Sequence, residues 1–298
     1  MTGITLLDGS IGQELVKRSG DRSTPLWSTR VMIDHPHHVF ETHRDYFDAG
    51  ATIATANTYA LHRNRLERVG IEDQHEQLID TALTQAGAAR DAHGSGRVAG
   101  ALGPLLATYR PDLQPPLDKA QEQYGWLVRQ MQDRVDLILI ETVSSLLEAE
   151  GALSGTAACR KPVWISFSVM DEDGTRLRSG EPIADIAPLI ERFQPEAVLV
   201  NCSPPEAMPA ALDILAGLGK PFGAYANGFT RISEEFLKDA PTVDALEQRT
   251  DLDPDRYADM AMGWLDQGAT ILGGCCEVGP AHIAELARRL RAAGHTIV

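Results

Sequence analysis

Cysteines are the residues of this sequence with the most distinctive chemistry. Cys275 and Cys276 are adjacent and follow a short apolar run, and Cys202 follows another. If both runs are strands whose ends face one space, the three thiolates can bind one metal ion, and soft thiolates select zinc over magnesium or calcium. Three protein ligands would leave the fourth tetrahedral position open, as in catalytic zinc sites.

Two other interpretations of these cysteines stay open on spacing alone. Buried cysteines commonly pack as small apolar side chains, and this is the interpretation of Cys159, which ends a predicted helix without a partner nearby. Cys275 and Cys276 could also form a vicinal disulfide, which a reducing compartment disfavours. One cysteine plus an adjacent pair is a less specific signal than paired C-x-x-C motifs.

Polar residues follow most of the other apolar runs as well. Active sites of α/β barrels lie where strands end at their carboxyl termini, so these residues are candidates for a shared site. They are Asp8, Gly9, Ser10, Asn57, Tyr59, Glu141, Asn201, Tyr225 and Asn227.

Eight apolar runs alternate with amphipathic segments along the chain. The runs are rich in Val, Ile, Leu and Ala and lack strict alternation, which indicates strands covered on both faces. The predicted strands span residues 4–8, 51–55, 97–101, 136–141, 162–169, 197–202, 221–226 and 269–273. The predicted helices span residues 36–49, 73–92, 117–133, 146–159, 183–193, 205–218, 255–267 and 280–293.

This alternation predicts a single (β/α)₈ TIM barrel, an α/β fold, with residues 1–298 forming one domain. A doubly wound sheet is the alternative. Residues 227–253 form a long, polar and acidic insertion after the seventh strand. We interpret the insertion as a surface excursion, and a lid over the site is the second interpretation.

Charge and hydropathy limit the classes of partner. Lys and Arg total 27 and Asp and Glu total 42, which gives a formal net charge of −15. We therefore expect small-molecule substrates and no nucleic acid, because no basic face is available for a phosphate backbone. The sequence shows no signal-peptide pattern and no apolar run of membrane-spanning length, so we expect a cytoplasmic protein without a membrane partner. Whether it is a monomer or a homo-oligomer is left open.

Several segments together resemble the homocysteine S-methyltransferase family. The string GGCC at 273–276 is followed by PAHI at 280–283, and Asn201-Cys202 ends the strand two before it. Further matching segments, in the order of the family, are LLDGSIGQEL at 6–15, PLWS at 25–28, ANTY at 56–59, GALGP at 100–104, ET at 141–142 and YANG at 225–228. The resemblance covers nearly the whole chain.

The resemblance implies a zinc ion held by Cys202, Cys275 and Cys276, with the sulfur of L-homocysteine as fourth ligand. Metal binding removes the thiol proton, so the substrate reacts as a thiolate. PLWS is most similar to the branch that uses sulfonium donors, which implies methyl transfer from S-methylmethionine or S-adenosylmethionine to give methionine. The alternatives are betaine or another donor, another thiol or selenol acceptor, and a zinc-binding thiol protein that is not an enzyme.

The same resemblance assigns roles to the other candidates. Asp8 and Glu141 are expected to bind the homocysteine ammonium through charge-assisted hydrogen bonds. The backbone N–H groups of Gly9 and Ser10 are expected to hold its carboxylate, and Asn201 is expected to neighbour the zinc. A possible donor pocket comprises Asn57, Tyr59, Tyr225 and Asn227, where a tyrosine face could hold a sulfonium by cation–π attraction.

The sequence departs from the family pattern in three places. Ser10 stands where the family often has Gly, and Ala226 stands where it commonly has Pro. Glu277 and Val278 follow the cysteine pair in place of the usual Gly-Thr. None of the three removes a proposed metal ligand, but Glu277 places a carboxylate beside the predicted zinc.

Overall fold

The protein is a closed barrel of parallel strands surrounded by helices. The structure, a computed structural model, describes residues 3–20, 24, 26–238 and 245–298. The eight strands of the barrel are β1 (Gly3–Leu6), β2 (Ile53–Thr55), β3 (Arg97–Leu102), β4 (Leu137–Val143), β5 (Val163–Phe167), β6 (Ala197–Asn201), β7 (Phe222–Tyr225) and β8 (Ile271–Leu272).

Strand pairing follows the chain order from β2 to β8, and β8 pairs with β1. A parallel bridge between Leu7 and Ile53 joins β1 to β2 and closes the ring. The Thr52 N–H donates to the Leu6 carbonyl at 2.7 Å across the same seam. A short ninth strand, β9 (Thr296–Ile297), adds to the amino-terminal part of β1. The (β/α)₈ prediction is confirmed.

Helices cover the outside of the barrel. They are α1 (Ile11–Ser19), α2 (Ser28–Asp34), α3 (Pro36–Ala49), α4 (Arg63–Glu67), α5 (His75–His93), α6 (Leu117–Met131), α7 (Leu146–Thr156), α8 (Ala187–Phe193), α9 (Met208–Leu215), α10 (Pro254–Asp266) and α11 (Pro280–Ala292). Side chains of Ser10, Ser145 and Asp253 accept the hydrogen bonds that begin α1, α7 and α10, as polar caps do.

Two apolar layers hold these elements together. A large layer between the strands and the helices contains residues such as Leu15, Leu83, Val128 and Trp264. A smaller cluster fills the barrel and includes Leu139, Leu199 and Tyr225. The filled interior leaves the carboxyl end of the barrel as the place where strand-end side chains can meet.

The sequence patterns predicted all eight barrel strands and a helix in each of the eight expected places. They missed α1, α2, α4 and β9, which are short elements whose formation depends on tertiary contacts more than on periodicity. No helix among the described residues is both long and apolar enough to cross a membrane. Pro25 of the PLWS segment and positions 239–244 of the insertion lie outside the described residues.

Candidate active site

Three cysteine sulfurs meet at the carboxyl ends of β6 and β8. The Sγ atoms of Cys202, Cys275 and Cys276 all lie within 4.8 Å of one another. The structure joins Cys202 and Cys275 in a disulfide with a Cα–Cα distance of 5.8 Å, and Cys276 is a free, half-buried thiol. Sequence reasoning did not predict this pair as a disulfide. Three sulfurs this close together could hold one metal ion, and two of them are also close enough to form a disulfide.

Cys159 lies apart from this cluster. It follows α7, packs partly buried against the outer apolar layer, and its sulfur accepts a hydrogen bond from the Lys161 N–H at 3.4 Å. The interpretation of Cys159 as a packing residue agrees with this placement.

Unusual backbone conformations concentrate around the sulfur cluster. Cys202, Thr142 and Glu277 have φ values of 51°, 60° and 66°, a region that non-glycine residues enter rarely and a β-branched residue such as Thr142 hardly at all. Strained residues of this kind cluster at functional sites, where surrounding contacts hold them. At Gly274, by contrast, an added Cβ would overlap the side chain of Val278. Gly274 is therefore needed for close approach of the backbone, and the positive φ in this turn falls on Glu277.

Asn201 is fixed by hydrogen bonds on both sides of its amide. Its Oδ1 accepts from the Thr142 N–H at 3.0 Å and from the Ser166 hydroxyl at 2.8 Å. Its Nδ2 donates to Thr142 Oγ1 at 3.1 Å and lies 4.0 Å from the Cys275 sulfur. The amide therefore connects the ends of β4, β5 and β6 and presents an N–H group to the sulfur cluster.

Asp8 is a buried carboxyl at the end of β1. Its two oxygens accept from the Thr55 N–H at 2.6 Å and from the Thr55 hydroxyl at 2.7 Å. The buried imidazole of His43 lies behind it, with Nδ1 4.0 Å from Oδ2. Burial raises the pKa of Asp8 to about 7, although the Thr55 hydrogen bonds oppose the shift. A cation arriving beside this carboxyl would favour its ionised form.

Glu141 is a second buried carboxyl, at the end of β4. The Tyr225 hydroxyl donates to its Oε1 at 3.1 Å. Burial raises the pKa of Glu141 to about 8, and the negative charge of Asp8 adds to the shift. Burial also raises the pKa of the Cys276 thiol to about 12, with the charge of Glu277 as a second cause. The site thus concentrates acidic groups with raised pKa values, and a bound cation would favour their deprotonated forms.

A cavity of about 320 Å³ connects these groups and contains most of the predicted site residues. Its wall includes all three cysteines, Asp8, Gly9, Ser10, Glu141 and Asn201, and, from the predicted donor pocket, Asn57, Tyr59 and Tyr225. Asn227 does not lie on this wall. Its N–H donates to the Ser203 carbonyl at 3.1 Å, and its Oδ1 accepts from the Phe229 N–H.

The predicted carboxylate cradle is only partly free. The Ser10 N–H donates to the Val278 carbonyl at 2.9 Å, and the Ser10 hydroxyl accepts from the Gln13 N–H at the start of α1. Ser10 therefore begins a helix and holds the turn after the cysteine pair. Of the two backbone groups proposed for the carboxylate, Gly9 N–H is the better candidate.

Several wall residues were missed by sequence reasoning. Trp27, Arg65, Thr108, Tyr109, Phe229 and Phe236 all contribute to the cavity. They come from loops and short helices after β1, β2, β3 and β7, where no periodic pattern marks an inward-facing side chain. The positive φ of Trp27 and Tyr109, 48° and 61°, belongs to the fold and has no signal in the sequence.

The fold is an α/β barrel whose strand ends bring three clustered cysteine sulfurs and two buried carboxyls into one cavity. The family model for homocysteine S-methyltransferase matches residues 5–290. The chain therefore belongs to the homocysteine S-methyltransferase family and is a methyltransferase. The resemblance found in the sequence motifs is confirmed.

Individual relatives agree with the family. A homocysteine S-methyltransferase of Escherichia coli (strain K12) is 31% identical over 96% of this chain and 95% of its own length. The crystal structure of the homocysteine methyltransferase MmuM from E. coli in its metallated form matches with a TM-score of 0.80, 29% identity and coverage of 97% and 96% of the two chains. A selenocysteine Se-methyltransferase of Brassica oleracea var. italica is 25% identical over 97% of this chain and 89% of its own length.

Proposed function

We propose that this enzyme transfers a methyl group from a sulfonium donor to the sulfur of L-homocysteine, with zinc held by Cys202, Cys275 and Cys276. The observation that carries the proposal is the convergence of the three sulfurs within 4.8 Å in one cavity with two buried carboxyls. With either S-methylmethionine or S-adenosylmethionine as the donor, the reaction gives methionine.

The residues present fit a thiolate-bound metal once the Cys202–Cys275 disulfide is reduced. Three sulfurs in one cluster are a soft donor set, and the Asn201 amide N–H stands 4.0 Å from the Cys275 sulfur, where it can stabilise a thiolate. A relative with 29% identity has been crystallised in a metallated form. Zinc bound there would act as a Lewis acid that lowers the pKa of the acceptor thiol.

The acceptor is positioned by charge. Asp8 and Glu141 line the cavity and accept the ammonium of homocysteine, while the Gly9 N–H is available to its carboxylate. Holding the amino-acid group in this way aims the sulfur at the cysteine cluster. Fixing two substrates in a reactive orientation supplies much of the rate when the chemical step is a simple displacement.

The cavity also suits a cationic donor. Tyr59, Tyr109, Trp27 and Phe229 contribute aromatic walls, and aromatic faces attract sulfonium cations. The homocysteine sulfur attacks the donor methyl carbon, a new C–S bond forms, and the old C–S bond breaks to release a neutral thioether. Charge is cancelled in this transition state, which a poorly solvated cavity favours. Methyltetrahydrofolate would need protonation of a poor amine leaving group.

The test incubates the reduced, zinc-loaded enzyme and homocysteine with one donor at a time and quantifies methionine. We expect product with S-methylmethionine or S-adenosylmethionine, with the former preferred, and little with methyltetrahydrofolate. Product only with betaine or with the folate would reject the sulfonium donor.

A second acceptor has a specific observation behind it, because one relative carries the name selenocysteine Se-methyltransferase. A selenol could occupy the place of the thiol at the same cysteine cluster. Comparing homocysteine with selenocysteine at equal donor concentration measures this preference, and a higher kcat/KM for the selenol would reassign the acceptor.

A further inference from the structure

The wall of the cavity carries a guanidinium that has no carboxylate partner among the described residues. Arg65, on α4, donates through Nη2 to the Pro104 carbonyl at 2.7 Å and to Thr108 Oγ1 at 3.3 Å. Its Nε is buried and has no hydrogen-bond partner among the described residues. The guanidinium carbon lies 5.6 Å from the centroid of the Tyr59 ring.

The positive charge of Arg65 is not balanced locally. Within the part of the chain that the structure describes, no Asp or Glu oxygen lies within 4.0 Å of its nitrogens, whereas Lys238 on the same wall pairs with Glu235 at 2.6 Å. Arg65 as a whole is half-buried, and this burial lowers the pKa of its guanidinium from the ordinary value. Glu148 acts on it from beyond ion-pair distance, and burial raises the pKa of Glu148 to about 7. A desolvated cation is costly unless an anion meets it.

Tyr59 neighbours Arg65 on the wall of the cavity that also contains Asp8 and Glu141. Its hydroxyl hydrogen-bonds to Thr108 Oγ1 at 3.0 Å. Burial raises the pKa of Tyr59 to about 12, the charge of Arg65 opposes this shift, and the charge of Glu141 adds to it. The same cavity therefore holds two carboxyls, Asp8 and Glu141, and a guanidinium that has no carboxylate partner among the described residues. A ligand with an anionic group next to Arg65 would complete the charge arrangement.

We propose that Arg65 binds the α-carboxylate of the amino-acid methyl donor and thereby selects donors that carry one. This inference rests on the proposed function, because it specifies the donor at the same site. The carboxylate could come from either substrate. We assign it to the donor because Arg65 adjoins Tyr59 of the donor pocket, and the Gly9 N–H is available to the carboxylate of homocysteine. Arg can form two parallel hydrogen bonds with a carboxylate.

The test is a titration calorimetry cycle on the zinc-loaded full chain. S-methylmethionine and its α-carboxamide, which lacks the anion, are titrated into the wild type and into Arg65→Gln, Arg65→Lys and Arg63→Gln. Arg63 is the matched control because it lies two residues earlier on α4, is exposed, pairs with Glu67 at 3.2 Å and is not on the cavity wall.

We expect the carboxamide to bind the wild type roughly 10- to 150-fold more weakly than S-methylmethionine. Arg65→Gln should bind both donors with the same low affinity, Arg65→Lys should recover part of the preference, and Arg63→Gln should retain all of it. A preference that survives in Arg65→Gln, or an equal loss of every ligand in that variant, overturns the inference.

A second pair of ligands identifies the source of the carboxylate. Homocysteine and 3-aminopropane-1-thiol, which lacks only the carboxylate, are titrated into the same variants. If Arg65→Gln removes the difference between these two and leaves the donor preference intact, the carboxylate belongs to homocysteine and the donor assignment is wrong. Methionine formation by the wild type is measured separately. If the wild type forms no methionine but still prefers S-methylmethionine over its carboxamide, the proposed reaction is rejected and the carboxylate site at Arg65 is retained.

Discussion

The Gln13 side chain donates from Nε2 to Glu277 Oε1 at 2.7 Å, and so turns the carboxylate beside Cys276 toward α1. Lys17 Nζ binds the other oxygen at 2.9 Å, and Gln13 Oε1 accepts from the Trp27 indole at 2.7 Å. Glu277 is thus occupied by α1 at both oxygens. This arrangement accounts for a carboxylate where the family often has Gly, without adding a ligand to the cysteine cluster.

Replacing Glu277 with Gln should therefore leave the metal content near that of the wild type and lower stability. One charge-assisted network is disrupted, so we expect a loss of about 1–3 kcal/mol in the free energy of unfolding. Chemical denaturation and metal analysis of the purified variant measure the two quantities. Loss of zinc at unchanged stability would show instead that Glu277 is a metal ligand.

The cysteine cluster gives the second prediction. Replacing Cys202, Cys275 or Cys276 with Ser should each sharply reduce bound zinc and methyl transfer, because a three-thiolate site loses a soft ligand. Wild-type protein reduced and isolated with zinc should contain about one ion per chain. Cys159→Ser is the control and should change neither property, since Cys159 packs outside the cavity. Full zinc retention in all three cluster variants would reject the site.

Some residues of the site could be predicted from the sequence and others could not. Asp8, Glu141 and Cys202 follow recognisable apolar runs, and the rule that barrel strands end at one face places them together without any knowledge of side-chain contacts. Arg65, Tyr109 and the Glu277 network could not be found in this way, because short helices and loops carry no periodic pattern. Their inward orientation depends on packing between segments distant in the sequence.

The third prediction concerns Glu141. Glu141→Gln removes the charge and keeps the shape, so homocysteine affinity should fall roughly 10- to 150-fold, the effect of one charge-assisted hydrogen bond of about 1.5–3 kcal/mol. Zinc should stay bound. Glu148→Gln is the matched control, because Glu148 is also a buried carboxyl with a raised pKa but its Oε2 accepts from the Ser144 N–H and it is not on the cavity wall. An unchanged dissociation constant in Glu141→Gln would reject the ammonium-binding role, and the same assay tests Asp8.

Proton release on acceptor binding is the last prediction. Burial raises the pKa of Glu141 to about 8 and that of Asp8 to about 7, so at pH 6 both carboxyls of the free enzyme are largely neutral. An ammonium group favours their ionised forms, which means that binding releases protons and becomes tighter as the pH rises through about 7 to 8.

L-2-aminobutyrate is the suitable probe, because it has the amino-acid group of homocysteine without a thiol that would itself release a proton. Calorimetry in buffers of different ionisation enthalpy counts the protons. We expect the wild type to release protons on binding at pH 6 and Glu141→Gln to release fewer. Both proteins should release fewer protons at pH 9 than at pH 6. Proton uptake at pH 6, where the ammonium of the ligand is fully protonated, or equal release by the wild type and Glu141→Gln at that pH, would contradict the assignment of these carboxyls to the ammonium.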